Sequence, residues 1–182
     1  IGSGAAEFKY GGWGQGGIVL YENDGGTDPT WTEKTVIPPA CYTCAVGDFH
    51  RSRSIFPVDI DSDGDMDIIG ANDTWDKIYW FANNGTDPWD SDSTWEKTII
   101  NHYLVEPKGI FSGDFNRDGH MDIVGTSSYY DNVELYINKG LGNTSFDYID
   151  LGYMTGANAN GAYSVYGADM DGDGDMDIVA AY

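Results

Sequence analysis

Three short stretches of the chain concentrate carboxylates at a fixed spacing. They read DIDSDGDMDIIG from Asp59, DFNRDGHMDIVG from Asp114 and DMDGDGDMDIVA from Asp169. Side-chain oxygens fall at positions 1, 3, 5 and 9 of each stretch, and position 6 is a glycine, which suits a sharp turn. Carboxylates this close repel one another unless a cation neutralises them. The spacing therefore predicts three cation sites.

Calcium is the cation that this set of ligands suits best. Ca²⁺ takes about 6–8 hard oxygen ligands, whereas Mg²⁺ keeps several of its waters. An EF-hand requires Glu at position 12 and helical flanks, but position 12 here is Gly70, Gly125 or Ala180. Polar β-turns without metal are the alternative for one copy, but three copies with the same ligand positions favour calcium.

We therefore predict about three Ca²⁺ ions per chain, with the residue at position 7 offering its backbone carbonyl. The predicted metal residues are Asp59, Asp61, Asp63, Asp65, Asp67, Asp114, Asn116, Asp118, His120, Asp122, Asp169, Asp171, Asp173, Asp175 and Asp177.

The elements that must position these loops also repeat. The interval is 55 residues both from Asp59 to Asp114 and from Asp114 to Asp169. A strand-like run such as SIFPV precedes each loop, and an apolar run such as MDIIGA follows it. Two further runs, KIYWFANNG and STWEKTII, recur as NVELYINKG and SFDYIDLG. Four short strands at a period near 50 are typical of a propeller blade. The predicted fold is all-β: a β-propeller-like array of four-stranded antiparallel blades with calcium-binding hairpin loops.

The repeats divide the chain unevenly. One repeat domain, 1–182, is predicted to contain a half blade with the third and fourth strands (1–37), a linker (38–52), two blades (53–100 and 108–152) and a half blade with the first and second strands (162–182). The half blades add up to one blade, so one chain is expected to complete the blade of another, in a ring or a fibre. A fragment of a larger propeller is the alternative.

The repeat resembles the FG-GAP/VCBS family, which includes the integrin α-subunit propeller and propeller lectins. GDFNRDGHMDIVG and GADMDGDGDMDIV match its D-x-[DN]-x-D-G-x-x-D core. The resemblance covers residues 53–182 and the later strands of 17–37. It implies a calcium-binding propeller but no particular activity, because the family hosts adhesins, lectins, lyases and scaffolds. Propellers typically have about 4–8 blades, whereas this chain has at most three.

Charge narrows the range of partners. Nine Lys and Arg stand against 30 Asp and Glu, a formal net charge of −21. Nucleic acid and anionic membranes are therefore not expected as partners, because their phosphates would be repelled. No run reaches the roughly 18–20 apolar residues that cross a bilayer, so no membrane span is predicted.

Two further patterns bear on the compartment. Cys41 and Cys44 form a C-x-x-C, for which we favour a disulfide over a bond to another chain or redox chemistry, because nothing helical surrounds them. Asn72, Asn84 and Asn143 begin N-x-[ST] sequons, which are possible glycosylation sites. With calcium loops, these features predict an extracellular or cell-surface protein.

No Ser-His-Asp or Cys-His set is apparent, so no enzyme is predicted. The function expected is that of a secreted, calcium-binding structural or adhesive repeat protein whose partner is a second copy of itself. The alternative is a lectin that stacks aromatic residues on glycans. Its candidates are Trp13, Trp75, Trp89 and the Tyr129–Tyr130 pair, and the other interpretation of these residues is packing between blades.

Overall fold

Every strand of the computed structural model is antiparallel to its neighbours, and the described residues form strands and turns without a helix. The described residues are 17–37, 52–83, 85, 95–101, 104–140, 145–153 and 161–182. The strands are β1 (Ile18–Asn23), β2 (Trp31–Ile37), β3 (Ser52–Val58), β4 (Asp67–Asn72), β5 (Lys77–Ala82), β6 (Glu96–Asn101), β7 (Pro107–Gly113), β8 (Asp122–Ser127), β9 (Asn132–Asn138), β10 (Phe146–Tyr153), β11 (Ser164–Ala168) and β12 (Asp177–Ala181).

The strands form four sheets in sequence order. Two sheets have four strands, β3-β4-β5-β6 and β7-β8-β9-β10, and two have two strands, β1-β2 and β11-β12. Within each sheet, strands that follow one another in the sequence are neighbours. The predicted all-β fold with four-stranded antiparallel sheets is confirmed. The predicted domain boundaries stay a prediction.

The chain divides into two compact units, Ile1–Ser52 with Asn84–Trp95, and Arg53–Asn83 with Glu96–Tyr182. In the first unit, β1 and β2 form a hairpin in which Asn23 faces Trp31. Its turn is held by side chains, since Asn23 Oδ1 accepts a hydrogen bond from the N–H of Gly25 at 2.8 Å. The Thr30 hydroxyl donates to Asp24 Oδ2 at 2.5 Å.

The core of the second unit lies between consecutive sheets. Ile69 and Trp80 of the β3–β6 sheet pack in one cluster with Ile123 and Tyr136 of the β7–β10 sheet. The opposite face of the β7–β10 sheet, which includes Val124, packs against the β11-β12 pair in a second cluster. Successive strand residues point to opposite faces. Adjacent apolar residues such as Ile123 and Val124 are therefore both fully buried.

In the part of the chain that the structure describes, one face of the β11-β12 pair is covered in this way and the other is not. Val179 on its outer face is 47% exposed, although Val124, its equivalent one repeat earlier, is 0% exposed. Tyr166, which pairs with Val179 across the two strands, is 62% exposed, whereas its equivalent Phe111 is 8% exposed. The pair thus carries an apolar outer face that corresponds to a buried face in the preceding sheet.

Candidate metal centres

Each acidic loop joins the first strand of a sheet to the second. The loops lie between β3 and β4, between β7 and β8, and between β11 and β12. Position 9 of each loop is also the first residue of the second strand, as Asp122 and Asp177 illustrate. Asp122 pairs with Gly113 and Asp177 with Ala168 across the hairpin. The strands therefore fix the position-9 carboxylate close to the start of its loop.

The same hydrogen bonds orient the side chains at positions 1 and 3 in all three loops. The position-1 carboxylate accepts from the N–H of position 6, at 3.0 Å for Gly64 on Asp59, 3.0 Å for Gly119 on Asp114 and 2.9 Å for Gly174 on Asp169. The position-3 oxygen accepts from the N–H of position 5, at 3.3 Å for Asp63 on Asp61, 2.9 Å for Asp118 on Asn116 and 3.1 Å for Asp173 on Asp171. One backbone path thus shapes all three loops.

The backbone path needs left-handed conformations at positions 4 and 6. Position 6 is glycine throughout, as the sequence predicts for a sharp turn, with φ of 98° at Gly64 and 89° at Gly119. Position 4 also has positive φ, and there the first two loops place Ser62 and Arg117, at φ of 62° and 60°. L-residues enter this region at a cost, so the rest of the loop must hold the backbone there.

The position-9 carboxylate anchors the loop, and it is buried in the first two loops, at Asp67 and Asp122. Its Oδ2 accepts from the N–H of position 2, at 3.2 Å for Ile60 on Asp67, 3.0 Å for Phe115 on Asp122 and 2.9 Å for Met170 on Asp177. Burial raises the pKa of Asp67 to about 6, against the opposing effect of N–H donors from Asn83 and Ile60. Burial likewise raises the pKa of Asp122. These carboxylates lie where a cation would offset the cost of ionising them.

Three carboxylates converge in two of the loops. One oxygen from each of Asp59, Asp61 and Asp67 lies within 4.8 Å of the others, and Asp169, Asp171 and Asp177 form the same group. Oxygens bound to one Ca²⁺ at about 2.4 Å lie no more than about 4.8 Å apart. The convergent oxygens therefore fit a calcium ion. In the second loop, Asn116 supplies an amide oxygen at position 3 in place of a carboxylate.

The side chains at positions 5 and 7, which were also predicted as metal residues, have other partners. Position 5 accepts from the N–H of position 7, at 2.9 Å for Asp65 on Asp63, 2.8 Å for His120 on Asp118 and 2.8 Å for Asp175 on Asp173. At position 7, the Asp175 side chain pairs with the guanidinium of Arg117 from the second loop. Positions 5 and 7 as metal ligands stay a prediction.

The other predicted site residues differ in burial. Asn72 is buried, and its side-chain oxygen accepts from the N–H groups of Thr74 and Trp75, both at 3.0 Å, so it shapes the turn after β4. Tyr129 and Tyr130 are exposed, with ring centroids 4.8 Å apart, and Trp75 is exposed as well. Cys41, Cys44, Asn84, Asn143, Trp13 and Trp89 lie outside the described residues.

An asparagine at the end of the third strand was not among the predicted site residues. Asn83 and Asn138 each donate a backbone N–H to Oδ1 of the position-9 carboxylate, whose Oδ2 accepts from position 2. The distances are 2.7 Å on Asp67 and 2.8 Å on Asp122. The signal in the sequence is an N-x-G that recurs 55 residues apart, as NNG from Asn83 and NKG from Asn138. It ties the third strand to the loop.

Stacked antiparallel sheets with an acidic loop in the first hairpin of each repeat define a propeller-type repeat protein. A family model for the FG-GAP-like repeat matches residues 59–125 and 114–180. Because the two matches together cover more than half of the chain, it belongs to the FG-GAP-like repeat family, and the resemblance drawn from its motifs is confirmed. Repeats of this family occur in extracellular proteins and often bind calcium. No curated protein matches the chain. No helix among the described residues is long and apolar enough to cross a membrane.

Proposed function

We propose that the chain is a secreted calcium-binding repeat protein with a structural or adhesive role, in which the metal holds the first hairpin of each repeat. The observation that carries this proposal is the convergence of carboxylate oxygens from positions 1, 3 and 9 within 4.8 Å. The repeated hydrogen bonds to positions 1, 3 and 9 add support, because they give all three loops one geometry.

The residues of the loop do the binding and the ion supplies the neutralising charge. Positions 1 and 3 lie on the loop and position 9 on the second strand, so one ion bound to all three would fix the loop to the sheet. Three bound ions would change the formal charge from −21 to −15, since each carries two positive charges. Relief of repulsion between the carboxylates is the expected source of the added stability.

Thermal unfolding in excess EDTA and in millimolar Ca²⁺ tests this function. Saturation at 100 times Kd stabilises a fold by about 2.7 kcal/mol, which corresponds to about 5–10 °C in Tm for a chain of this size. Asp59→Asn should remove part of that gain. Asp28→Asn, an exposed aspartate in the turn between β1 and β2, should keep it. An unchanged Tm in EDTA would show that calcium has no such role.

As the partner, we propose a second copy of the chain whose β1 adds to the free edge of β12. Within the described residues, β12 pairs with β11 alone. In the complete sheets, second and third strands pair Ile68 with Phe81 and Ile123 with Tyr136. The same register would place Tyr21 of the second copy opposite Ile178. Ile149 and Leu151 of β10, both exposed, would then lie under the added hairpin.

Carbohydrate binding is the second candidate. The exposed Tyr129–Tyr130 pair in the turn between β8 and β9 supports it, because exposed aromatic rings offer flat apolar faces. A glycan array separates the two roles. Binding that Tyr129→Ala removes without a change in the mass of the assembly would favour the lectin.

A further inference from the structure

Asn138, the last residue of β9, contacts two acidic loops rather than one. It is buried, and its side-chain amide donates to the carbonyl of Ile60 at 2.8 Å and to the carbonyl of Met121 at 3.2 Å. Ile60 is position 2 of the first loop and Met121 is position 8 of the second. The side-chain oxygen accepts from the N–H of Gly140 at 3.0 Å. Both amide donors and the acceptor are therefore engaged.

The bond to Ile60 completes a continuous chain of hydrogen bonds between the two loops. Asp67 Oδ2 accepts from Ile60 N at 3.2 Å, and the Ile60 carbonyl accepts from Asn138 Nδ2 at 2.8 Å. The N–H of Asn138 then donates to Asp122 Oδ1 at 2.8 Å, and Asp122 Oδ2 accepts from Phe115 N at 3.0 Å. The hydrogen bonds thus include both position-9 carboxylates, each bonded to the N–H of position 2 of its own loop.

This chain fixes the peptide units beside the convergent oxygens. Ile60 lies between Asp59 and Asp61, and its N–H and carbonyl are held from opposite sides by Asp67 and Asn138. Phe115 lies in the same place between Asp114 and Asn116. Because the chain is buried, solvent screens it little. A shift of one loop must therefore displace groups that orient the other.

We propose that Asn138 is a positioning residue that couples the first two acidic loops, so that calcium bound at one loop raises the affinity of the other. This inference rests on the proposed calcium function. Asn83 is the matched residue one repeat earlier: it donates its N–H to Asp67 Oδ1 at 2.7 Å and its amide to the Met66 carbonyl at 3.2 Å. Both of these bonds lie within its own sheet and loop, and neither runs between the first two acidic loops, as the bond from Asn138 to Ile60 does.

The test follows each loop separately by hydrogen exchange during a calcium titration. Peptides covering 59–66 and 114–121 report the Ca²⁺ concentration that half-protects each loop. Asp114→Asn silences the second loop, and the midpoint of the first loop should then rise by about 5-fold or more, a typical size for coupling between sites. Because coupling is reciprocal, Asp59→Asn should raise the midpoint of the second loop by the same factor.

The decisive comparison repeats these measurements in Asn138→Ala and Asn83→Ala backgrounds. Asn138→Ala should abolish the shift, because it removes the donor to Ile60, while Asn83→Ala should retain it. If Asn138→Ala does not unfold cooperatively, Asn138→Ser replaces it, since a hydroxyl can still accept from Gly140. The coupling is overturned, and the proposed calcium function is not, by either of two results. One is a midpoint shift in the Asn138 variants as large as in their absence, and the other is no midpoint shift when one loop is silenced in an otherwise wild-type chain. A chain with no calcium-dependent protection at any loop overturns the proposed function as well.

Discussion

The buried aspartate at position 9 has a different task from its neighbours in the loop. Asp67 accepts hydrogen bonds from Ile60 and Asn83, which orient both of its oxygens. Asp122 repeats this arrangement with Phe115 and Asn138. Solvated aspartates elsewhere in the loops have no comparable burial. Asp67 and Asp122 therefore determine where their loops attach to the sheet, and burial raises the pKa of both.

The metal-free protein should be more stable at pH 5 than at pH 7. The pKa of Asp67 is raised to about 6 in the fold, from an ordinary value of 3.8. A raised pKa gives stability that is complete below about pH 4 and is lost as pH rises through about 6. Allowing for solvent screening, the loss is about 1–2 kcal/mol.

Melting in EDTA between pH 4.5 and 7.5 measures this effect, and Asp67→Asn should flatten the profile. In Ca²⁺ the trend should reverse, because protons compete with the metal for the carboxylate. A Tm in EDTA that increases from pH 5 to pH 7 would contradict the assignment.

Gly140, two residues after Asn138, makes room for the ring of His120. A Cβ at Gly140 would overlap the ring of His120, and φ there is 63°. Gly140→Ala should therefore cost about 2–4 kcal/mol, partly from the left-handed backbone and partly from the clash. Urea unfolding gives the value.

Gly25→Ala is the matched control for this clash. Gly25 has a φ of 77° in the same N-x-G turn, but no atom lies within 4 Å of its added Cβ. Gly25→Ala should lower the free energy of unfolding only by the cost of the left-handed backbone, about 1–2 kcal/mol. Adding His120→Ala to Gly140→Ala should recover the difference. Equal costs at the two glycines would exclude the clash.

At the scale of strands, β7 and β11 of neighbouring sheets approach closely at Gly109. A Cβ on Gly109 would lie 2.9 Å from the Cα of Ser164 and 3.0 Å from the N of Val165. These are backbone atoms, which cannot rotate away. Gly109→Ala should therefore displace β11 and cost about 2–3 kcal/mol.

Ser54, at the same position of β3, provides the control for Gly109. Ser54→Ala removes only a hydroxyl from a partly exposed site, so a change of about 1 kcal/mol or less is expected. Urea unfolding of both variants compares the costs. If Gly109→Ala were as stable as Ser54→Ala, β11 could move away from β7 without a cost in stability, and the close approach at Gly109 would not matter.

At the scale of the whole molecule, the free edge of β12 and the exposed Ile149 and Leu151 predict self-association. Light scattering after size exclusion should give a discrete oligomer or a fibre in millimolar Ca²⁺. In EDTA the mass should return toward the 19.9 kDa of one chain. Calcium favours the assembly because it orders the hairpin that β12 belongs to and lowers the negative charge.

Leu151→Asp is the variant that tests the predicted contact. Leu151 is exposed in the single chain, so the fold should tolerate aspartate, but the added hairpin would bury the charge. The variant should remain a monomer in Ca²⁺. Tyr129→Asp, in the exposed turn between β8 and β9, should assemble normally. A wild-type chain that stays a stable monomer in Ca²⁺ excludes a second copy as the partner, and an aggregating monomer favours further repeats of a longer chain.

The sequence predicted most about the local structure that residues close together in the chain determine. The acidic spacing located the loops, and the convergence of positions 1, 3 and 9 follows from a short turn closed by a hairpin. Runs of adjacent apolar residues located the strands, because a strand with two covered faces has no polar face. The family followed from the same repeated motif.

Contacts between residues far apart in the chain could not be predicted in this way. The N-x-G of Asn138 is visible in the sequence, but its bond to Ile60 spans 78 residues and depends on how two sheets stack. The turn of Asp63 toward the N–H of Asp65 reflects competition among nearby donors, which spacing alone does not resolve.

The amino-acid sequence by itself determined the repeat, the acidic loops and the antiparallel strands, since each depends on interactions within about one repeat. Only the tertiary structure decided that Asn72 lies buried beneath its turn, that Asn138 joins two loops, and that Val179 is exposed although its equivalent Val124 is fully buried. The reason is physical. Nearly identical sequence units acquire different surroundings when they stack, and burial belongs to the stack rather than to the unit.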